Sequence, residues 1–574
     1  LEAVKEVFPD YEVLNKESID GCIGILKGKK HREKNCFSLR ISSIKADNDL
    51  ISFLYDIDKE LDITNEFIDK SLYKYARRAD WIDKERQYYP IVCIVEKKDF
   101  DDIRKGTGII RKVSSFSAKI DQLKAKSDWA GICNIYEPLE SIREKEEVWN
   151  NVNDLYNLAF ACSKLGEPKN GMERDKNHLA FVKRYRDLSI QFYKRCCELE
   201  PNDYRYFSAM AYRHYLNVIE LTKPRGRRDG KAADEISEAR IWFDKALSIN
   251  PNSIKDNYRK GKLIIDKQID NFKYNQKEWT SDTFEELNTM EQLGITCLER
   301  VIEQYENHTF GKWENIYLNE YVKTLYCLGC YYIEKPEVLW NEYACCKMHN
   351  INYYNNMTKD EMNYYVKAKH FFEKCFNAET IVPLDGEINP QELANLSKEW
   401  AVSPIDKLYR LGLVNLHMFF VKHTRTKHKE TAHVYGKKAE KFFRIAKEIS
   451  DEYRKLGIDR KNRLFINEKL AWYYIFTDRF DDAIRLIERA RESYIKNTYA
   501  IALMLSNAHD KYQKAETALK SASSDNSNKA KDTSKALLAH LYKLSGQEEK
   551  YEGLIKSIED SISNSGKKLL AIIE

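Results

Sequence analysis

Residues 239–251 read A-R-I-W-F-D-K-A-L-S-I-N-P. Ala239, Phe243, Ala246 and Pro251 fall at intervals of four, three and five. That spacing predicts a short amphipathic helix with small residues on one side, one large apolar knob and a proline stop. Ser189, Tyr193, Cys196 and Pro201 repeat the pattern upstream. The same grammar recurs along most of the chain, so the fold class is mainly α, a stack of helical hairpins.

Working outward, Leu325, Leu328, Gly329 and Tyr332 read as the first helix of a hairpin, and Ala368, Phe372 and Cys375 as its second helix after an insertion. Leu408, Leu411 and Gly412 open another hairpin, and Ala439, Phe443 and Ala446 close it. The most regular unit runs through Leu470, Ala471 and Tyr474, then Phe480, Ala483, Ile487 and Ala490. Small residues let two antiparallel helices approach, and the aromatic fills the gap beside them. A lone hairpin cannot bury its apolar face, so such units stack. This pattern resembles the tetratricopeptide repeat, a helix–turn–helix unit of about 34 residues. The resemblance spans roughly residues 120–560 and implies an α-solenoid that binds a protein or peptide in its groove. Interruptions are expected at Lys335–Pro336 and Ile381–Gly386, and the polar run Ser521–Ser534 reads as a linker. A final hairpin from Lys535 to about Asn564 is expected to cap the array.

The N-terminal part has a different texture. Cys22–Leu26, Cys36–Ile44 and Ile91–Val95 are short β-rich runs separated by helical patterns, which predicts a small α/β module over 1–115. The solenoid then occupies 116–565, and 566–574 form a C-terminal tail. Gly21, Gly24 and Gly28 surround one predicted strand, yet their spacing matches neither G-x-G-x-x-G nor a phosphate-binding loop, so they read as a turn.

Composition narrows the function classes. Lys plus Arg total 95 and Asp plus Glu total 90, giving a net charge of +5, a nearly balanced surface unlike that of an obligate nucleic-acid binder. The 13 cysteines are odd in number and include the neighbours Cys196–Cys197 and Cys345–Cys346, so no disulfide framework is expected. That usage points to a reducing compartment and a cytoplasmic protein. No apolar run approaches the ~20 residues of a membrane span, and no stretch reads as a signal peptide.

In a tetratricopeptide stack the first helices line the concave face. The resemblance therefore places Tyr156, Phe160, Arg205, Tyr212, Tyr215, Lys323, Tyr326, Ile333, Tyr409 and Trp472 in the partner-binding groove. Tyr, Trp and Arg dominate interface hot spots. The basic loop Lys223–Lys231, with Arg225, Arg227 and Arg228, is able to contact phosphate but reads more simply as a solvated insertion. Cys327, Cys330, Cys345, Cys346 and His349 are weak zinc candidates, because Leu328 and Gly329 are helix packing positions rather than a metal knuckle. His417 lies in the apolar run Leu416–Phe420 and reads as a core histidine. No catalytic residue is assigned, since no histidine sits in a recognisable hydrolase or metalloprotease motif.

The leading expectation is a non-enzymatic interaction scaffold or a sensor or regulatory subunit, of the kind found in prokaryotic signalling and defence systems. It needs no cofactor. The alternatives are a nucleic-acid-binding helical repeat using the basic loop, and a nucleotide-dependent enzyme acting through the N-terminal module.

Overall fold

A computed structural model describes residues 120 and 123–573, apart from 168–175, 223–229, 277, 308–316, 354–356, 398–399, 425–428, 456–462, 525–527 and 559–561. The expected α/β module over 1–115 lies outside the described residues. Every regular element among the described residues is helical. The chain forms two compact units. The first takes the described residues up to Glu220 together with Ser237–Asn250; the second takes Leu221–Ile236 and nearly everything from Pro251 onward.

In the first unit, α1 (Trp129–Tyr136) and α2 (Val152–Leu165) pack through their apolar faces. Ile132, Leu155, Leu158, Ala159 and Cys162 are all fully buried. Asn151 caps α2 by accepting from the backbone N–H groups of Asn153 and Asp154. α3 (Lys176–Leu199) returns along α2, and Ser189 Oγ donates to Ala159 O at 2.9 Å across the close approach. α4 (Tyr204–Leu221) follows, and its Phe207 meets Trp242 of α5 (Gly230–Ile249) with ring centroids 6.0 Å apart. Ala239, Phe243 and Ala246 on α5 are completely buried.

The second unit repeats the hairpin. α6 (Ile254–Leu263) continues through a π turn at Ile264–Gln268 and packs on α7 (Ser281–Asn307). α8 (Leu318–Ile333) pairs with α10 (Lys359–Asn377), and between them lies the inserted α9 (Trp340–Met348). The helix α11 (Pro390–Leu396) is a further insertion, resting on the second helix of the next pair, α12 (Pro404–His423) and α13 (Lys429–Lys455). Then come α14 (Arg463–Phe476) with α15 (Phe480–Ile487), and α16 (Ser493–Leu505) with α17 (Lys511–Ser523). α18 (Asn528–Leu544) and α19 (Glu548–Ile558) form the last pair.

Small residues sit where the spacing predicts. A Cβ added at Gly329 would lie 2.5 Å from Phe372, and one at Gly412 would lie 2.7 Å from Phe443. Two sequence expectations change. The Ser521–Ser534 linker is mostly helix, because α17 runs to Ser523 and α18 begins at Asn528. Within the expected tail, α20 (Asn564–Leu570) docks on α18 and buries Leu569 and Leu570, and Ile573 beyond it is buried as well. Its apolar residues are spaced to cover the last hairpin.

Candidate functional site

In the second unit, first helices α12 and α14 are partly covered by the inserted α9. α9 is nine residues long, too short to persist alone in water. It ends on Asn350, whose φ of 57° is left-handed. The Ile351 N–H donates to Cys346 O at 2.8 Å and the Asn350 N–H to Lys347 O at 3.3 Å, a Schellman stop. Tertiary packing holds this helix in place. The Trp340 ring lies 5.0 Å from His417 on α12, 5.6 Å from Trp472 and 5.7 Å from Phe476 on α14. Tyr343 lies 5.6 Å from both Phe420 and Phe476. Lys469 places its ammonium 5.0 Å from the centre of the Trp340 ring.

Polar contacts anchor the far end. Lys347 pairs with Asp478 in the turn after α14. His349 Nε2 and His540 Nδ1 of α18 share a hydrogen bond of 3.0 Å, and His540 Nε2 donates to Leu569 O at 2.9 Å. That donation fixes the His540 tautomer, so His540 Nδ1 accepts and His349 Nε2 donates. Burial pushes the His540 pKa down to about 4, and burial lowers that of His349.

This self-docking accounts for part of the expected groove. Trp472 is 3% exposed and Ile333 2% exposed, so both belong to the core rather than to an accessible surface. Trp472 Nε1 donates to Glu468 at 2.7 Å. Tyr326 packs on Phe372 at 5.9 Å and accepts from Arg410 Nε at 3.5 Å. Tyr409 is half-buried against Phe443 at 6.0 Å, and Lys323 is half-buried on the same face of α8 as Tyr326. In the first unit, Tyr215 is buried and stacks on the half-buried Tyr212 at 6.2 Å. Half-buried Tyr156 sits against Tyr193 and Tyr206, and Phe160 against Trp129. Arg205 is exposed, with Nε 2.9 Å from both carboxylate oxygens of Asp203. Arg225, Arg227 and Arg228 lie outside the described residues.

The zinc candidates do not assemble. Cys327, Cys345 and Cys346 are buried in helices, and burial raises their thiol pKa values; that of Cys330 rises to about 11. Zinc binds thiolate, which these sites disfavour. Among the described residues no three His, Cys, Asp or Glu side chains converge to hold a metal ion. His349 spends its Nε2 on His540 instead. All the described cysteines are free thiols. No described helix is long and apolar enough to cross a membrane.

Beside α9 lies a cavity of about 510 Å3, bordered by the C-terminal end of α8, the turn into α9, α12, α18 and α20. The sequence pointed to His417 only as core. Its ring is sandwiched edge-on between Trp340 and Tyr365, 5.0 Å from each, and burial with the positive fields of Lys469 and Arg410 lowers its pKa to about 3.

No protein-family model matches the chain, and no curated protein matches it. Among solved structures, one similar chain is described as a circular tandem repeat protein with novel repeat topology and enhanced subunit contact surfaces. It is 11% identical, with 80% of this chain and 93% of that chain covered and a TM-score of 0.21. Yeast Tom70 is 15% identical, with 72% of this chain and 94% of that chain covered and a TM-score of 0.17. At those scores the hairpin repeat stands on its own geometry.

Proposed function

We propose that the chain is a non-catalytic protein-interaction scaffold of tetratricopeptide-like hairpins, acting in the cytoplasm as a sensor or regulatory subunit. One observation supports this reading above the rest: an inserted helix, α9, already packs against the first helices α12 and α14. Rings from α12 and α14 enclose Trp340 and Tyr343. A groove that holds its own helix has the chemistry of helix-in-groove recognition, in which a few apolar anchors enter pockets and polar contacts set the register. With the second unit's groove filled, the first helices of the first unit are the better partner surface. There Arg205 is exposed and Tyr212, Tyr156 and Phe160 are half-buried.

The test is affinity capture from the native host with the full chain, followed by cross-link mapping of what is captured. Arg205→Ala combined with Tyr212→Ala is expected to reduce recovery of a specific partner by about tenfold or more, as for a hot-spot pair. The melting temperature should stay within a degree or two of wild type, since neither residue is in the core. Equal recovery, or cross-links that avoid the first unit, would reject this surface. A collapse in melting temperature would show that the two side chains are structural.

A further inference from the structure

The cavity beside α9 is lined by polar groups of both signs. His417 is 6% exposed, lines the cavity, and has no hydrogen-bond partner for Nδ1 among the described residues. Arg410 also lines it, and its contacts are long: Nε to Tyr326 Oη at 3.5 Å and Nη1 to Glu334 at 3.5 Å. From the first turn of α9, Glu342 faces the same space without an ion pair among the described residues. Its neighbour Glu337 is already bound to Lys568 at 2.8 Å. Burial raises the Glu342 carboxyl pKa and the charge of Glu337 adds to it, while its own backbone N–H and the charge of Lys568 act the other way. Ile333, Leu413 and Leu569 supply apolar wall.

The geometry points to a binding site for a small zwitterion of amino-acid or short-peptide type, its carboxylate taken by Arg410 and its ammonium by Glu342, with the His417 ring as part of the wall. The volume falls within the ~300–1,000 Å3 of small-molecule sites. Arg410 offers the planar fork that suits a carboxylate. The His417 ring lines the wall beside it, with Nδ1 closed off from the open space. A plain anion would leave Glu342 unpaired and face Glu334 and Glu337 as well. A plain cation would lie against Arg410, with Lys469 close behind His417. Only a ligand carrying both charges answers both sets. Because α9 contributes Glu342 and α12 contributes Arg410 and His417, the ligand would also bridge the inserted helix to the groove that holds it. None of this depends on the scaffold reading.

Isothermal titration of the full chain tests it, with L-leucine and L-leucyl-L-leucine as probes. Saturable binding is expected for at least one of the two. N-acetyl-L-leucine and L-leucinamide, each lacking one charge, should bind about tenfold more weakly or worse, as should either zwitterion to Glu342→Gln, a change that keeps side-chain shape. Arg410→Gln should act in the same direction; if it lowers the melting temperature, the blocked ligands and Glu342→Gln still decide. The inference is overturned by equal affinity for a singly blocked probe, by affinity indifferent to Glu342→Gln, or by no saturable binding of either zwitterion.

Discussion

His417 and His540 show how far a single side chain's environment departs from its sequence context. Both are buried, and burial lowers their pKa values, to about 3 and about 4. Around His417 the facing charges are Lys469 and Arg410; around His540 they are His349 and Lys543. All of these disfavour protonation. An unfolded chain takes up protons at these histidines near pH 6.5, whereas the folded chain does not until pH falls to about 4 or below. The unfolded state therefore binds more protons in that window, and stability falls as pH drops through it. Each histidine contributes about 1.4 kcal/mol per pH unit. Urea unfolding at pH 7 and pH 5 should show this loss, and His417→Phe should make the slope shallower. A pH-independent midpoint over that range would mean the rings are solvated. The apolar run around His417 made its burial legible in sequence. Its place in a cavity wall was not, because α8, α9 and α20 come from distant stretches. For the groove candidates, spacing identified the helix face but could not say what covers it; Trp472 and Ile333 are core.

At the level of the helix pair, glycine reports the repeat. In an exposed helix Gly→Ala gains about 1 kcal/mol from propensity and backbone entropy. Gly553 on α19 has nothing within 4 Å of an added Cβ, so Gly553→Ala should follow that rule and raise stability by about 0.5–1 kcal/mol. At Gly412 the added methyl would meet Phe443 at 2.7 Å, and at Gly329 it would meet Phe372 at 2.5 Å. These rings are fully buried and cannot swing into solvent. The sign should therefore reverse, with Gly412→Ala and Gly329→Ala each losing about 1–3 kcal/mol through overpacking. Thermal melts of the three variants check this, and stabilisation by Gly412→Ala would refute the close approach of α12 and α13. The hairpins were readable because both partners of each contact, a glycine and an aromatic, stand at fixed positions in the sequence. The inserted α9 was not. Its run W-N-E-Y-A-C-C-K-M carries two cysteines that suggest metal chemistry and lacks a second helix to pair with. Its partners are supplied by first helices up to two hundred residues away.

Across the second unit, α9 acts as a tie between hairpins that the repeat alone would leave coupled only to their neighbours. A solenoid transmits stability from one repeat to the next. Here Trp340 reaches α12 and α14, Lys347 reaches the turn after α14, and His349 reaches α18. Glu337, just before α9, holds Lys568 of α20 at 2.8 Å. The polar contacts among these span 131 to 231 residues of sequence. If the tie is real, loosening it should lower protection far from the change. Trp340→Ala with Tyr343→Ala removes the two rings that fill the groove, and each such truncation costs about 3–5 kcal/mol when the site cannot collapse. Hydrogen exchange by mass spectrometry should then quicken not only in α9 but in α16, α18 and α20, while α1 to α4 of the first unit keep wild-type rates. Faster exchange confined to residues 338–352 would instead mean that α9 rests on a groove already rigid without it. In that case its removal should simply expose Trp472 and Phe476 to a helical partner at no cost to the array, so the same experiment separates a structural brace from a displaceable occupant.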